Sequence, residues 1–319
     1  MVTNLGFWGK FKKPILCQAP MHDITDAAFR FILASITKPD VMFTEFVSAD
    51  GLCSKGQDKL LAKLRYNKTE RPIVAQIFGR QPEKFYQAAK IIKKLKFDGL
   101  DINAGCPEKT IIKQGAGSAL ILEPDLTLEI IKAAKQGAGS LPVSIKTRIG
   151  YDKDITESWV TTLLKARPAA IILHARTAKQ MYKLSANWLA IKKAVKLRNS
   201  LNYKTLIIGN GDLNSLPSAR KKIKTSGADG AMIGRALLKN LWLFSGRNLN
   251  DIPLKVRLKT LLTHTKIFEK LSGIDKNFAC FRKYYQAYLN GFPQAKTWRL
   301  KLMAANNSLD LEKIIKTCQ

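Results

Sequence analysis

The chain has 319 residues, 46% of them hydrophobic and 24% charged, which is enough apolar material for one large core, or for a large domain with a small one, and excludes wholesale disorder. Fifty-four Lys and Arg stand against 24 Asp and Glu, a formal +30 that favours polyanionic partners such as nucleic acid or an anionic surface. No run of about 18 apolar residues occurs to span a bilayer, and five scattered cysteines without a C-x-x-C pair argue against a disulfide framework and against a structural zinc or iron–sulfur site.

Those cysteines (Cys17, Cys53, Cys106, Cys280, Cys318) point to a reducing compartment, and Met1 to Lys13 lacks the apolar segment and cleavage site of a signal peptide, so a cytoplasmic protein is expected. From residue 15 to residue 235, short β-branched runs alternate with longer amphipathic ones. The pattern predicts strands at Ile15–Ala19, Val41–Phe46, Ile73–Ile77, Gly99–Asn103, Val143–Arg148, Ala170–His174, Thr205–Gly209 and Gly230–Gly234. Helices are predicted between them, among others at Pro82–Lys96, Pro124–Gln136, Ile155–Arg167, Trp188–Arg198 and Ser215–Ser226, several opened by Pro or Ser. Eight evenly spaced strand–helix units match an α/β fold of the (β/α)8 TIM-barrel type in count and size.

The period changes after about Phe244, where four helices are predicted at 254–272, 277–289, 296–306 and 309–318, broken at Gly273, at Gly291-Phe292-Pro293 and around Asn306-Asn307. The expected domains are therefore a barrel at 1–245 and a small helical domain at 246–319. The second carries 14 Lys and Arg against 5 Asp and Glu, the first 40 against 19, so a polyanion could be gripped across their junction.

A barrel of this kind holds its chemistry at the carboxyl ends of the strands. Those ends read Ala19-Pro20-Met21, Thr44-Glu45, Gln76, Asn103-Ala104-Gly105-Cys106, Lys146-Thr147-Arg148, His174-Ala175-Arg176, Gly209-Asn210-Gly211-Asp212 and Gly234-Arg235. Cys106 sits on a Gly-Pro loop at the end of the fourth strand. The glycines after the last two strands suit a phosphate, and the amides of Gln76 and Asn103 suit the edge of a heterocycle. Lys146 and Arg148, two residues apart on a strand, share a face that would meet an anionic ring or an RNA phosphate. There is no His-x-x-His or acidic cluster for a metal hydrolase, no metal site is expected, and no G-x-G-x-x-G follows the first strand. Asp101 and Asp212 could form an acid/base pair, with capping the first reading for Asp212; His22 reads as a surface-loop residue and His264 as a helix-surface one.

Taken together, these residues resemble the tRNA-dihydrouridine synthases, flavin enzymes that reduce selected uridines in tRNA. The resemblance runs through Ala19-Pro20-Met21 with Asp26 and Phe29-Arg30, Thr44-Glu45-Phe46-Val47-Ser48, Gln76-Ile77-Phe78-Gly79, Asp101-Ile102-Asn103-Ala104-Gly105-Cys106-Pro107, Gly115 to Leu120, Lys146-Thr147-Arg148, His174-Ala175-Arg176-Thr177 with Gln180, Tyr182 and Trp188, Gly209 to Asp212, and Met232 to Arg235. It implies FMN held by Pro20, Met21, Gln76, Lys146, His174, Asn210, Gly211, Asp212, Gly234 and Arg235, reloaded by NADPH. It further implies Asn103, Arg148 and Arg176 at the substrate and Cys106 as the proton donor. The implied partner is tRNA, with no membrane, no stable protein partner and a monomeric state. The C-terminal helices agree with the family's tRNA-binding domain in size and position but carry no motif. Leu241 stands where the family usually has Pro, and Ala175 where Gly is common; neither touches an implied chemical role.

Reduction of uracil needs a hydride at C6 and a proton at C5, and a thiol of ordinary pKa is protonated at neutral pH and able to give the proton. Three alternatives share parts of the pattern. A small-molecule flavin reductase of the dihydroorotate dehydrogenase kind lacks a use for the +30 charge and the basic helices. A radical or aldolase barrel needs an iron–sulfur triad or a Schiff-base lysine, and a non-catalytic RNA-binding scaffold does not explain the rim residues.

Overall fold

Eight parallel strands form one sheet in the computed structural model of the chain, which describes residues 3–272 and 277–318. They are β1 (Ile15–Gln18), β2 (Met42–Ser48), β3 (Ile73–Phe78), β4 (Gly99–Ala104), β5 (Val143–Arg148), β6 (Ala170–His174), β7 (Leu206–Asn210) and β8 (Gly230–Ile233), each within two residues of its predicted ends. Their order is β1-β8-β7-β6-β5-β4-β3-β2. A parallel bridge from Cys17 to Val41, with Gln18 N–H donating to Val41 O at 3.0 Å, brings the start of β2 back to β1 and closes the ring. The predicted helices lie on the outside, among them Pro82–Lys94, Pro124–Ala138, Thr156–Lys165, Trp188–Ser200 and Leu216–Ser226.

Strand alternation explains both the core and the site. Outward positions such as Ile73, Ile102, Ile145, Ile171 and Ile207 pack under the helices, while Ile15, Cys17, Phe43, Val74, Ile172, Ile208 and Met232 fill a separate cluster inside the ring. That inner cluster is plugged at the amino-terminal end by Trp8, 1% exposed, from the turn Gly6–Lys10. Two residues further along β3 to β7 the same inward row is polar: Val74 gives way to Gln76, Ile172 to His174 and Ile208 to Asn210, while Asp101 is followed by Asn103 and Ser144 by Lys146 and Arg148. The inward row of the barrel is therefore mostly apolar at one end, with Asp101 and Ser144 the polar members there, and polar at the other.

Beyond the barrel the chain forms helices Leu254–Ser272, Ala295–Leu302 and Ser308–Cys318. The single helix expected at 277–289 is instead a 3-10 stretch, Phe278–Tyr284, followed by the short turn Tyr285–Tyr288. Phe278, Phe281 and Tyr284 recur every third residue, and a 3-10 helix aligns such positions on one face where an α-helix would fan them apart. The expected break at Gly273 lies outside the described residues. His264 corrects the surface reading: it is fully buried among Phe29, Phe281, Tyr284 and Tyr288, with Nδ1 2.9 Å from Tyr288 Oη. The expectation failed because the face of Leu254–Ser272 that carries His264 is covered by helix Ala27–Ile36 and by the Phe278–Tyr288 segment.

Besides packing on helix Ala27–Ile36, this helical region reaches the loop that follows β1. Tyr284 Oη donates to Ile24 O at 2.7 Å and lies 3.2 Å from Asp26 Oδ2, its ring stacks on Phe29 at 5.6 Å, and Lys283 Nζ donates to Asp23 O. Asp26 also caps helix Ala27–Ile36 by accepting Phe29 N–H at 2.9 Å. Among the described residues no helix is long and apolar enough to cross a membrane.

Candidate active site

The polar ends of the strands surround a cavity of about 690 Å3, within the range of small-molecule and cofactor sites. Of the residues singled out from the sequence, Pro20, Met21, Gln76, Asn103, Cys106, Lys146, Arg148, His174, Asn210, Gly211, Asp212, Gly234 and Arg235 all line it. Arg176 does not. It is 3% exposed and lies behind the wall, where its guanidinium makes a two-pronged pair with Asp212 (2.8 and 2.6 Å) and its Nε donates to Leu184 O. Asp212 in turn accepts Ala186 N–H at 2.8 Å, so of the helix or loop capping expected of it the structure shows the loop kind: it clasps the loop after β6 to the loop after β7. Burial alone would raise the Asp212 carboxyl, but the bonds from Arg176 and Ala186 outweigh it and hold the group below the usual carboxylate range.

A continuous string of buried hydrogen bonds rises from the barrel floor to the cysteine loop. Ser144 Oγ donates to Asp101 Oδ1 at 2.6 Å, Gln76 Nε2 to Asp101 Oδ2 at 2.7 Å, and Asn103 Nδ2 to Gln76 Oε1 at 3.1 Å. Asn103 Oδ1 then accepts the backbone N–H groups of Gly105 (3.1 Å) and Cys106 (2.9 Å). The Cys106 loop is further held by Ser118 N–H on Cys106 O at 3.0 Å, and Gly117 is required beside it because a Cβ there would lie 2.7 Å from Cys106 O. Asp101 is thus bonded in the floor and does not pair with Asp212, which belongs to the opposite wall.

The titrating groups are tuned by burial and by one another. Burial raises the Cys106 thiol above its ordinary value despite the opposing backbone N–H of Glu108 and the charges of Lys146 and Arg148, so it stays protonated at neutral pH. Burial and the neighbouring Arg148 bring Lys146 down to about 8, with Asp101 and Cys106 opposing. Arg148 falls to about 10, again by burial, and its guanidinium donates to Gly105 O (2.7 Å) and Thr177 O (3.0 Å). His174 is held well below its ordinary value by burial and by Arg148, Lys146, Arg176 and Arg235, which leaves a neutral imidazole in a positive field.

The β7–β8 side is shaped by missing side chains. Gly211 has φ +125°, and a Cβ there would lie 2.8 Å from Ala186 Cβ; at Gly234 a Cβ would crowd Ala19 Cβ (3.2 Å) and Met21 Sδ (3.4 Å). Arg235 sits beside this gap with its guanidinium 4.2 Å above the Tyr182 ring. Backbone freed of side chains next to an arginine suits an anionic group, and the Gln76 and Asn103 amides deeper in suit a flat heteroaromatic ring. Lys146 makes no ion pair among the described residues, so its charge is available to such a ring. The residues present therefore fit a flavin mononucleotide.

The mouth was less legible in the sequence. Tyr182, half-exposed, forms one lip; on the other His22 stacks on Phe46 at 5.2 Å, and Phe46 meets Phe78 edge-on at 5.6 Å. Phe46 and Phe78 lie at strand ends, a signal that attention to polar types alone passes over. His22, Asp23 and Glu45 bring ligand-type atoms within 4.8 Å of one another, but Glu45 accepts Asp23 N–H at 2.6 Å and Asp23 faces Lys63 at 3.5 Å, so internal contacts occupy them. A second depression of about 410 Å3 around Leu52, Cys53 and Lys90 contains none of the rim residues.

A family profile described as "Dihydrouridine synthase (Dus)" matches residues 17–318. A protein of Staphylococcus aureus (strain MRSA252) named "Probable tRNA-dihydrouridine synthase" is 35% identical over 300 residues, 93% of this chain and 90% of that one. "Probable tRNA-dihydrouridine synthase 2" of Bacillus subtilis (strain 168) is 35% identical over 312 residues, 97% of this chain and 95% of its own. Among solved structures, a 2-naphthoyl-CoA reductase aligns with a TM-score of 0.57 over 88% of this chain and 55% of that chain. The old yellow enzyme from Trypanosoma cruzi aligns with 0.53 over 75% of this chain and 88% of its own. Both are 12% identical, a likeness that bears on the barrel fold alone.

Proposed function

The chain belongs to the dihydrouridine synthase family, and from that premise we propose that it reduces the C5–C6 double bond of specific uridines in tRNA to 5,6-dihydrouridine, using FMN reloaded by NADPH. The observation that carries this reading is the gathering of Cys106, Asn103, Lys146, Arg148 and His174 around one cavity with a side-chain-free anion pocket at its far wall. Reduced flavin, when bound, supplies the hydride for C6.

The protein's own residues supply the rest. Met21, Gln76, Lys146, His174 and Asn210 would hold the ring system, and Gly211, Gly234 and Arg235 its phosphate, with Pro20 shaping the first loop. Cys106, a neutral thiol on a pinned loop, gives its proton to C5; as the proton leaves, Lys146 and Arg148 offset the negative charge on sulfur. Asn103 has one amide N–H left after its bond to Gln76, a donor suited to a uracil carbonyl. Arg148 stands beside the base, and Arg176 acts through Asp212 by fixing the wall. The base must leave its stack to reach the cavity, at a cost of a few kcal/mol, and Tyr182 and the His22–Phe46 pair offer stacking surfaces at the mouth. Lysines and arginines of the barrel and of the helical region, read as the tRNA-binding part, would grip the folded RNA through its phosphates. The chain is read as working alone, in the cytoplasm.

Two measurements test the reading. The purified protein should carry the visible absorption of a flavin and bind FMN, and tRNA from a deletion strain should lack dihydrouridine at defined positions by mass spectrometry. A yellow protein whose deletion leaves every dihydrouridine in place would favour a small-molecule pyrimidine reductase instead.

A further inference from the structure

We propose that Asp101 is a positioning residue of the reaction: from the barrel floor its carboxylate sets the direction of the Gln76 and Asn103 amides and serves as the counter-charge of Lys146. This deepens the flavin reading above and rests on it. Asp101 pairs in register with Ser144, and Asn103 with Lys146, so on the inward face Asp101 lies one rung below Asn103 and diagonal to Lys146. The inward positions of the floor on β6 and β7 are Ala170, Ile172, Leu206 and Ile208, all apolar. A carboxyl group in that layer costs desolvation that an aliphatic residue would avoid, which asks for a use beyond packing.

The first use is directional. Either end of a primary amide fits the same space, and only its partners decide which end is which. An ionised carboxylate accepts and never donates, so Gln76 must turn Nε2 toward Asp101 and Oε1 toward Asn103. Asn103 must then offer Nδ2 to Gln76 and Oδ1 to the N–H groups of Gly105 and Cys106. One acceptor-only group at the floor thereby agrees with two backbone donors at the cysteine loop, and every amide between them has a single orientation.

The second use is electrostatic. Lys146 is faced by Asp101 from β4, by Cys106 from the following loop, by Arg148 on its own strand and by His174 from β6; of these only Asp101 is an anion at neutral pH. Asp101 itself is faced by Lys146, by Ser144 and Gln76 through hydrogen bonds, and by Cys17 from β1. Burial lifts the carboxyl to about 6, and the bonds from Ser144 and Gln76 keep it from rising further. The lysine value of about 8 already includes the help of this anion, so without it the ammonium loses its proton at a lower pH.

The test uses the flavin-loaded protein and follows FMN dissociation and the FMN midpoint potential across pH, neither of which needs turnover. Asp101→Asn is nearly isosteric: Oδ1 can still accept from Gln76, while the Ser144 hydroxyl, 3.5 Å from Leu100 O, can turn to that carbonyl and accept from the new amide. The pH at which potential and FMN affinity change slope should fall by about one unit or more in D101N, with the fold retained. Ser144→Ala weakens the carboxylate without touching Asp101 and should move the same break downward by less, which keeps the idea open to refutation should D101N not fold. Breaks that stay at the wild-type pH, in D101N or, where that variant does not fold, in S144A, overturn the proposal even if melting temperatures drop. A wild-type protein that binds no FMN refutes the functional reading on which the proposal rests.

Discussion

The barrel mouth and the C-terminal core each bury a histidine, and each keeps it neutral, yet for different reasons. His174 sits among Lys146, Arg148, Arg176 and Arg235, so besides burial it feels a concentrated positive field, which marks a place built for an anion. His264 sits among Phe29, Phe281, Tyr284 and Tyr288; burial carries it down to about 4, with Asp26 opposing and a single cation, Lys283, as the least of the causes. The same direction of shift therefore has two meanings, and the neighbours rather than the histidine distinguish a site from a core. The two regions meet at Tyr284 and Lys283, which hold the Pro20–Asp26 loop whose Met21 and His22 line the cavity.

The largest effect should come from the mouth. Cys106→Ala should cut dihydrouridine formation by about two to four orders of magnitude, while FMN binding, NADPH oxidation and the melting temperature stay near wild type; unchanged product by mass spectrometry removes Cys106 from the chemistry. Next, tRNA binding by the two basic surfaces should weaken by more than about a hundredfold between roughly 50 and 200 mM salt, because each phosphate contact releases counterions. A flat salt response in filter binding would assign recognition to the neutral lips of the cavity instead.

The core should answer to acid rather than to chemistry. His264 titrates near 4 in the fold against 6.5 in the open chain, so between those values the unfolded chain takes up a proton that the folded one refuses. Its contribution is complete above pH 6.5 and declines on acidification, by on the order of 3 kcal/mol at pH 4. His264→Phe should flatten that part of the pH–stability curve in denaturant titrations and leave kcat alone; an unaltered acid limb would place the acid sensitivity elsewhere. The smallest effect tests the join. Tyr284→Phe removes the hydroxyl that donates to Ile24 O at 2.7 Å, a loss of about 1 kcal/mol, and should raise the FMN dissociation constant about fivefold with little change in tRNA affinity. If FMN binding is indifferent to it, the two regions share a surface and no more.

Much of this was legible before folding was considered. Cys106, Lys146, Arg148, His174 and the glycines at 211 and 234 could be picked out because they follow predicted strands, and strand ends of such barrels face one rim. Arg176 was read as a substrate contact from the same position, but the clasp to Asp212 pulled it behind the wall. Asp101 looked like half of an acid pair with Asp212; its real partners, Gln76 and Ser144, come from the two adjoining strands, 25 and 43 residues away. Tyr182 and Phe46 stood among the residues that carry the resemblance but were given no role at the mouth, because single aromatic residues are common in any core.

What the sequence by itself determined is the part governed by local periodicity. Alternation along a strand decides which residues turn inward, and eight such strands with helices between them leave few ways to pack, so the fold and the polar rim follow from spacing. The tertiary structure decided the pairings: which acceptor meets Gln76, which wall Arg176 supports, and whether His264 faces water or four aromatic rings. Hydrogen bonds and desolvation depend on distances of a few ångströms between residues far apart in the chain. No pattern within a single segment records those distances.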